Sequence, residues 1–205
     1  MNNIENVASG HKTAGEFSKA YVEYLSTLLK TLDPKEVEAF AAVLEQARQG
    51  GKTVFVAGNG GSVSTASHVG VDLSGASFKA GSEMPLRVLP LADNAAFITA
   101  VANDFGYEHV FAKQLNVHYR EGDVLLVVSA SGNSMNLVRA AEWMRGRKGK
   151  VLGLLGFDGG KLEELCDAAI VVRTQKGDYG PVEDVHLVLN HIFTLWMHLK
   201  YSKPR

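Results

Sequence analysis

The chain has 205 residues, 46% of them hydrophobic, with 21 Lys and Arg against 22 Asp and Glu. That length suits one domain with a sizeable core, and a net charge of −1 leaves no overall field to gather nucleic acid or an anionic membrane. Cys166 is the only cysteine, which excludes an internal disulfide and any CxxC motif; its apolar context predicts a small buried thiol.

The N-terminal residues Met1 to Asn6 lack a basic region followed by an apolar core, and no uncharged apolar run approaches membrane-spanning length. The cytoplasm is therefore the expected compartment. Two helices are predicted next, over 14–31 and 34–49, with Pro34 suited to a first helical turn. The first carries Phe17, Tyr21, Tyr24, Leu25, Leu28 and Leu29 at i, i+3/i+4 spacing, a stripe that must be buried on its own domain or on another subunit. Apolar, β-rich runs then recur at 53–57, 86–91, 123–128, 151–155 and 169–173, separated by helix-length segments. Their alternation predicts an α/β fold: a three-layer αβα sandwich around a five-stranded parallel sheet, with N-terminal helices added, in a single domain spanning 1–205.

Two strand-to-helix turns stand out. The first strand runs into Gly58-Asn59-Gly60-Gly61-Ser62, and 62–75 reads as a helix. A glycine turn lets backbone N–H groups converge, and the helix start adds unpaired donors and the positive end of a dipole, so an anion such as a phosphate suits it. No Lys-Ser/Thr pair follows, as a P-loop requires, and Val63 stands where a dinucleotide fingerprint places its third glycine. A phosphorylated small molecule is favoured over a nucleotide. The second turn, Ser129-Ala130-Ser131-Gly132-Asn133-Ser134, follows the 123–128 strand and precedes a helical pattern through Leu137, Val138, Ala141 and Met144. One serine suffices to cap a helix; three point to binding, since their hydroxyls donate to phosphate oxygens alongside backbone N–H groups.

Two helices supply candidates for chemistry. His68 and Asp72 are four apart on the helix after Ser62 and project from one face. On a C-terminal helix starting near Gly180-Pro181, Glu183 and His191 are eight apart and share about one quadrant of the wheel. Alone, an HxxxD pair equally suits a surface or capping contact. Asn103-Asp104, placed after a predicted 93–102 helix and before Gly106, reads by itself as a helix-terminating turn.

Five segments fall in order along the chain: Gly58-Asn59-Gly60-Gly61-Ser62, Asn103-Asp104-Phe105-Gly106, Glu121-Gly122-Asp123-Val124-Leu125-Leu126, Ser129-Ala130-Ser131-Gly132-Asn133-Ser134 and Asp158-Gly159-Gly160-Lys161. Together they resemble the sugar isomerase (SIS) domain family, and within it the phosphoheptose isomerases, which interconvert sedoheptulose 7-phosphate and an aldoheptose 7-phosphate. The resemblance implies a phosphosugar aldose–ketose isomerase working through an enediol(ate). It implies that the N-terminal helices, residues 1–50, pack at a subunit interface of a homotetramer, with neither nucleic acid nor membrane as partner. Ser129, Ala130, Ser131 and Ser134 would hold the phosphate; Asn59, Gly60, Gly61, Ser62, Asn103, Asp104 and Glu183 would meet the sugar.

The resemblance also implies one divalent cation per subunit, zinc by ligand type, with iron, nickel, cobalt and manganese as alternatives. In the family the four ligand positions hold His, Glu, Gln and His, and the Glu and last His transfer protons. Here they map to His68, Asp72, Glu183 and His191, so two depart from the pattern. Asp72 is a methylene short, which leaves Asp72 or Glu183 as base with His191 moving protons between oxygens. Glu183 adds a charge, and two carboxylates with two imidazoles favour a bound cation. Alternatives are isomerisation of another phosphosugar, a non-catalytic phosphosugar-binding regulator, and a replication-initiator-binding protein of the same fold.

Overall fold

In a computed structural model describing residues 3–79 and 85–202, all five apolar runs form one parallel sheet. Two amphipathic helices, α2 (Ala14–Lys30) and α3 (Pro34–Gln49), follow a short α1 (Asn3–Ala8) and precede β1 (Thr53–Gly58). The chain continues through α4 (Gly61–Lys79), β2 (Arg87–Pro90), α5 (Ala95–Phe105), a 3-10 turn at Tyr107–His109 and α6 (Val110–His118). It then passes through β3 (Val124–Ser129), α7 (Met135–Arg145), β4 (Lys150–Gly156), α8 (Gly160–Leu165) and β5 (Ala168–Val172) to α9 (Tyr179–Tyr201). The short helices α1, α6 and α8 are additions to the expected elements.

Capping explains several boundaries. Thr13 accepts from the backbone N–H of Glu16 while the Glu16 carboxylate accepts from the N–H of Lys12, and Asp33 accepts from the N–H of Lys35 with Pro34 opening α3. The strands are apolar on both sides because each face is covered. On one face Val54, Val56, Leu126, Leu152 and Ile170 pack against Phe40, Leu44, Val69, Leu189 and Phe193 from α3, α4 and α9. On the other, Phe55, Leu125, Val127 and Val151 pack against Phe111, Leu115, Leu137 and Met144 from α6 and α7. The period of two along each strand divides these sets, so the three-layer sandwich follows from the sequence pattern. Part of the α2 stripe is covered by its own domain: Leu28 is buried, and Tyr24, Leu25 and Leu29 pack partly buried against the core. The Cys166 thiol is half-buried and pushed up to about 12 by burial and by the nearby charges of Asp167 and Glu163, which leaves it inert at neutral pH.

The strand order is β2-β1-β3-β4-β5. The chain goes outward from β1 to the edge strand β2, then returns past β1 to pair β3 on its other side. That reversal lies between β1 and β3, and open parallel sheets bind ligands beyond the carboxyl ends of the strands at such a point. Both turns singled out by sequence leave these two strands.

The α9 helix, packed on the sheet face shared with α3 and α4, carries a fully buried histidine. His186 sits with Nε2 3.0 Å from the carbonyl of Leu155 on β4, and its Nδ1 has no partner among the described residues. Burial pushes its pKa down to about 4 against an ordinary 6.5. The unfolded chain then takes up a proton from about pH 6.5 downward while the folded chain stays neutral until about pH 4. Stability contributed by the neutral ring is complete above pH 6.5 and falls by about 1.4 kcal/mol per pH unit across that window. Denaturant unfolding of His186→Gln between pH 7 and 5 is expected to show a shallower decline than the parent; parallel curves would assign the acid sensitivity elsewhere.

Candidate active site

The turn after β1 and the turn after β3 are stitched together by a pair of asparagines. Asn59 Nδ2 donates to Asn136 Oδ1 at 2.9 Å, Asn136 Nδ2 donates back to Asn59 Oδ1 at 2.8 Å, and the Tyr107 hydroxyl donates to the same Asn59 oxygen at 3.0 Å. Asn136 is buried and also accepts from the N–H of Leu137 at 2.9 Å. The Asn59 side chain, expected from the resemblance to meet the sugar, is thus largely engaged in holding the two turns in register. Neither Asn136 nor Tyr107 stood out in the sequence, since each carries its role only through contacts more than 40 residues away.

The serine turn is held from the other side. Ser129 Oγ, itself buried, accepts from the N–H of Gly132 at 3.1 Å, and Ser131 Oγ accepts from the N–H of Asn133 at 3.3 Å. Ser134 occupies the cap position of α7 without a side-chain cap bond, so capping does not account for this serine. At Gly132 a Cβ would fall 1.9 Å from the Gly159 carbonyl oxygen, and φ is +62°; the turn and the start of α8 touch backbone to backbone there. Asn133 Oδ1 accepts from the N–H of Lys161 at 3.1 Å, and the N–H of Leu162 donates to the Gly132 carbonyl at 3.0 Å. The Asp158 to Lys161 segment therefore serves as a brace.

Beside this turn lies a cavity of about 220 Å³ lined by Ser131, Asn133, Phe157, Asp158, Thr174 and Lys176. Thr174 brings a buried hydroxyl with no partner among the described residues, and Lys176 brings an exposed ammonium group. Hydroxyls, backbone N–H groups and one ammonium group are donors of the kind that suit an anion, and the Asp158 carboxylate shares the same lining. Both residues follow β5, and only the fold brings them to the serines.

Asn103 and Asp104 lie elsewhere than expected. The helix predicted over 93–102 extends to Phe105, so both fall in its last turn, exposed, with Asn103 Nδ2 donating to Asp104 Oδ1 at 2.8 Å. The early Gly106 signal ends the helix at its proper place; the two polar residues before it do not.

The α4 and α9 helices run side by side in the same direction, with Gly61 facing Glu183 and Asp72 facing Asn190 and His191. His68 Nε2 lies 3.0 Å from Asp72 Oδ2, His191 Nε2 lies 3.7 Å from the same oxygen, and the two imidazoles meet edge to face with centroids 5.2 Å apart. Ligand-capable atoms of His68, Asp72 and His191 all fall within 4.8 Å of one another. Two imidazole nitrogens and a carboxylate oxygen fit a divalent transition metal, and a three-residue set leaves a position open for substrate. Their side chains are 42%, 23% and 55% exposed, so the site is reachable from solvent.

Glu183 stands apart from that cluster. Eight residues before His191, it is about 12 Å away along the helix axis, and its carboxylate packs on Gly61, where a Cβ would sit 2.2 Å from Oε2. Any side chain at position 61 would displace that carboxylate. Burial raises the Glu183 pKa above the usual carboxylate value, and the neighbouring charge of Asp184 adds to the rise. Its helix is anchored from the N-terminal side: buried Asp178 accepts from the N–H of Ile4 at 3.0 Å and from the Tyr24 hydroxyl at 2.8 Å, while Tyr21 donates to Asp184 at 2.5 Å. Thus a carboxyl group inclined to hold or take a proton faces the glycine turn, and a metal-type cluster lies two helical turns further on.

Comparison with known proteins bears on this arrangement. The profile of the SIS domain family matches residues 16–156. A phosphoheptose isomerase of Rhodospirillum rubrum is 38% identical over 159 residues, covering 78% of this chain and 82% of that protein. Among solved structures, phosphoheptose isomerase GmhA from Neisseria gonorrhoeae superposes with a TM-score of 0.79 at 26% identity over 90% of this chain and 98% of its own. A phosphoheptose isomerase from Francisella tularensis does so with a TM-score of 0.79 at 27% identity, over 91% and 99%.

Proposed function

Because this chain belongs to the SIS domain family and to its phosphoheptose isomerase branch, we propose that it interconverts sedoheptulose 7-phosphate and an aldoheptose 7-phosphate of the D-glycero-D-manno type. The observation that carries the reading is the His68–Asp72–His191 cluster, on the same pair of packed helices as a carboxyl group whose pKa is raised by burial, in a chain whose serine turn follows the carboxyl end of β3. In this reading the phosphate is held by Ser129, Ala130, Ser131 and Ser134 with their backbone N–H groups, joined by Thr174 and Lys176. The sugar lies along the seam of α4 and α9, past Gly60, Gly61 and Ser62. Glu183 removes the proton from the carbon beside the carbonyl, an enediol(ate) forms, and the proton returns to the neighbouring carbon. His191 moves the second proton between the two oxygens. Asp72, whose Oδ2 accepts from Asn190 and lies beside the ring nitrogens of His68 and His191, anchors the cluster and leaves the base role to Glu183.

His68, Asp72 and His191 would hold the divalent cation, zinc by ligand type, while Glu183, whose carboxylate packs on Gly61, stands outside that set. When bound, such a cation supplies Lewis-acid polarisation of the carbonyl. A phosphosugar-binding regulator or an initiator-binding protein of this fold has no use for the cluster or for a perturbed carboxyl group beside it.

Among the described residues no helix is long and apolar enough to cross a membrane. The same reading places the enzyme in the cytoplasm, in heptose or lipopolysaccharide biosynthesis, as a homotetramer. Val71, Ile192, Leu195 and Leu199 on α4 and α9 and Val22 on α2 are exposed, and they supply an apolar face for subunit contact.

The direct test incubates the purified, zinc-supplemented protein with sedoheptulose 7-phosphate and follows the anomeric region by NMR. A new aldose phosphate signal is the expected result. Turnover of a shorter ketose phosphate with none of the heptose would replace the substrate and keep the chemistry.

A further inference from the structure

Asn190 has no counterpart among the residues that the sequence pointed to. It is 2% exposed, between α4 and α9, and its Nδ2 donates to Asp72 Oδ2 at 2.8 Å. That oxygen is also the one approached by His68 and His191. The opposite amide orientation would set two acceptors against each other, so the chemistry of the pair requires the donor to face Asp72. The other end of the amide gains nothing: Asn190 Oδ1 is buried and has no partner among the described residues. A buried amide with an orphaned carbonyl is a poor choice for packing alone, and a leucine of similar volume would suit the apolar seam better.

We infer that Asn190 is a positioning residue that fixes the carboxylate of Asp72 for the His68–Asp72–His191 cation site. Asp72 reaches about one bond length less far than a glutamate would from the same Cα, so its carboxylate cannot be steered by reach. Here the seam itself supplies the steering. Asn190 precedes His191 on the same helix, so one rigid element presents both the second imidazole and the donor that aims the carboxylate. Bidding for one lone pair of Oδ2, the amide limits rotation about the Cβ–Cγ bond and sets which oxygen faces the histidines. Outer partners of this kind orient ligands and are worth roughly 10–100-fold in metal affinity.

This inference rests on the metal-site reading above, and its test is independent of turnover. Zinc affinity of metal-free protein is measured by competition with a chromogenic chelator for the parent, Asn190→Leu, Asn190→Ala and Asn190→Ser, with denaturant unfolding of each metal-free protein alongside. The expected result is an affinity loss of about 10–100-fold for Asn190→Leu at undiminished metal-free stability, with Asn190→Ser, which keeps a donor, retaining more affinity than Asn190→Ala. Equal zinc affinity in all four proteins overturns the inference, as does a parent that binds no zinc. Should Asn190→Leu fail to fold, the Ser and Ala pair decides. A parent that binds zinc in this Asn190-dependent way yet leaves sedoheptulose 7-phosphate untouched removes the proposed substrate and keeps Asn190 in its role.

Discussion

Glu183→Gln should lower kcat by about 10²–10⁴-fold, the range for loss of a positioned general base, while the protein stays folded and keeps its zinc. Glutamine has nearly the same size, so the close packing on Gly61 survives. What is lost is the group whose pKa is raised by burial and by Asp184. Because a base works only when deprotonated, the acid limb of kcat/KM in the parent should sit above the ordinary carboxylate range, with activity falling as pH drops through the raised pKa. In the variant that limb should disappear. The change is also an unusually direct discriminator, since glutamine is what the resemblance places at this position. If Glu183→Gln turns over at the parental rate, the fold runs with glutamine there, and Asp72 is the base.

Asp72→Asn should lose zinc and with it about 100-fold or more of the activity, without loss of the fold, because Asp72 is partly exposed and lies outside the hydrophobic core. Metal content by elemental analysis and kcat on the same preparation read both effects. Asp72→Glu should also reduce activity. The Asp72 carboxylate meets Asn190 at 2.8 Å and His68 at 3.0 Å, distances set by the shorter side chain, and an added methylene moves it by about a bond length where sites of this kind tolerate about half an ångström. Activity equal to or above the parent in Asp72→Glu would mean that the pocket was never rebuilt around the aspartate. Unchanged turnover in a folded Asp72→Asn would remove the residue from the mechanism altogether.

Much of this molecule could be read along the chain. Continuous apolar runs such as Val54 to Ala57 and Val124 to Val128 announced strands covered on both faces, because β-branched residues in short blocks between helical periods have few other uses. The glycine and serine turns could be read because a strand, a turn and a helix start are contiguous in sequence. His68 and Asp72 could be paired because four residues make one helical turn. Asn103 and Asp104 were misplaced for a local reason: polar residues at a helix end look like a turn, and Ala95–Phe105 simply runs three residues further than its apolar pattern suggests.

Composition and periodicity by themselves determined the fold class, the sheet and the two anion-suited turns, since each depends on interactions between near neighbours. Which of the distant residues meet was decided by the tertiary structure. The sequence permits Glu183 and His191 to share one quadrant of a helix, but parallel packing of α4 on α9 sends one to Gly61 and the other to Asp72. It likewise sets Asn136 against Asn59, Thr174 and Lys176 beside Ser131, and the buried amide of Asn190 against Asp72. These contacts join residues from 43 to 122 positions apart, and no local preference of the chain encodes them: they follow from the order of the strands and from the packing of whole helices on the sheet.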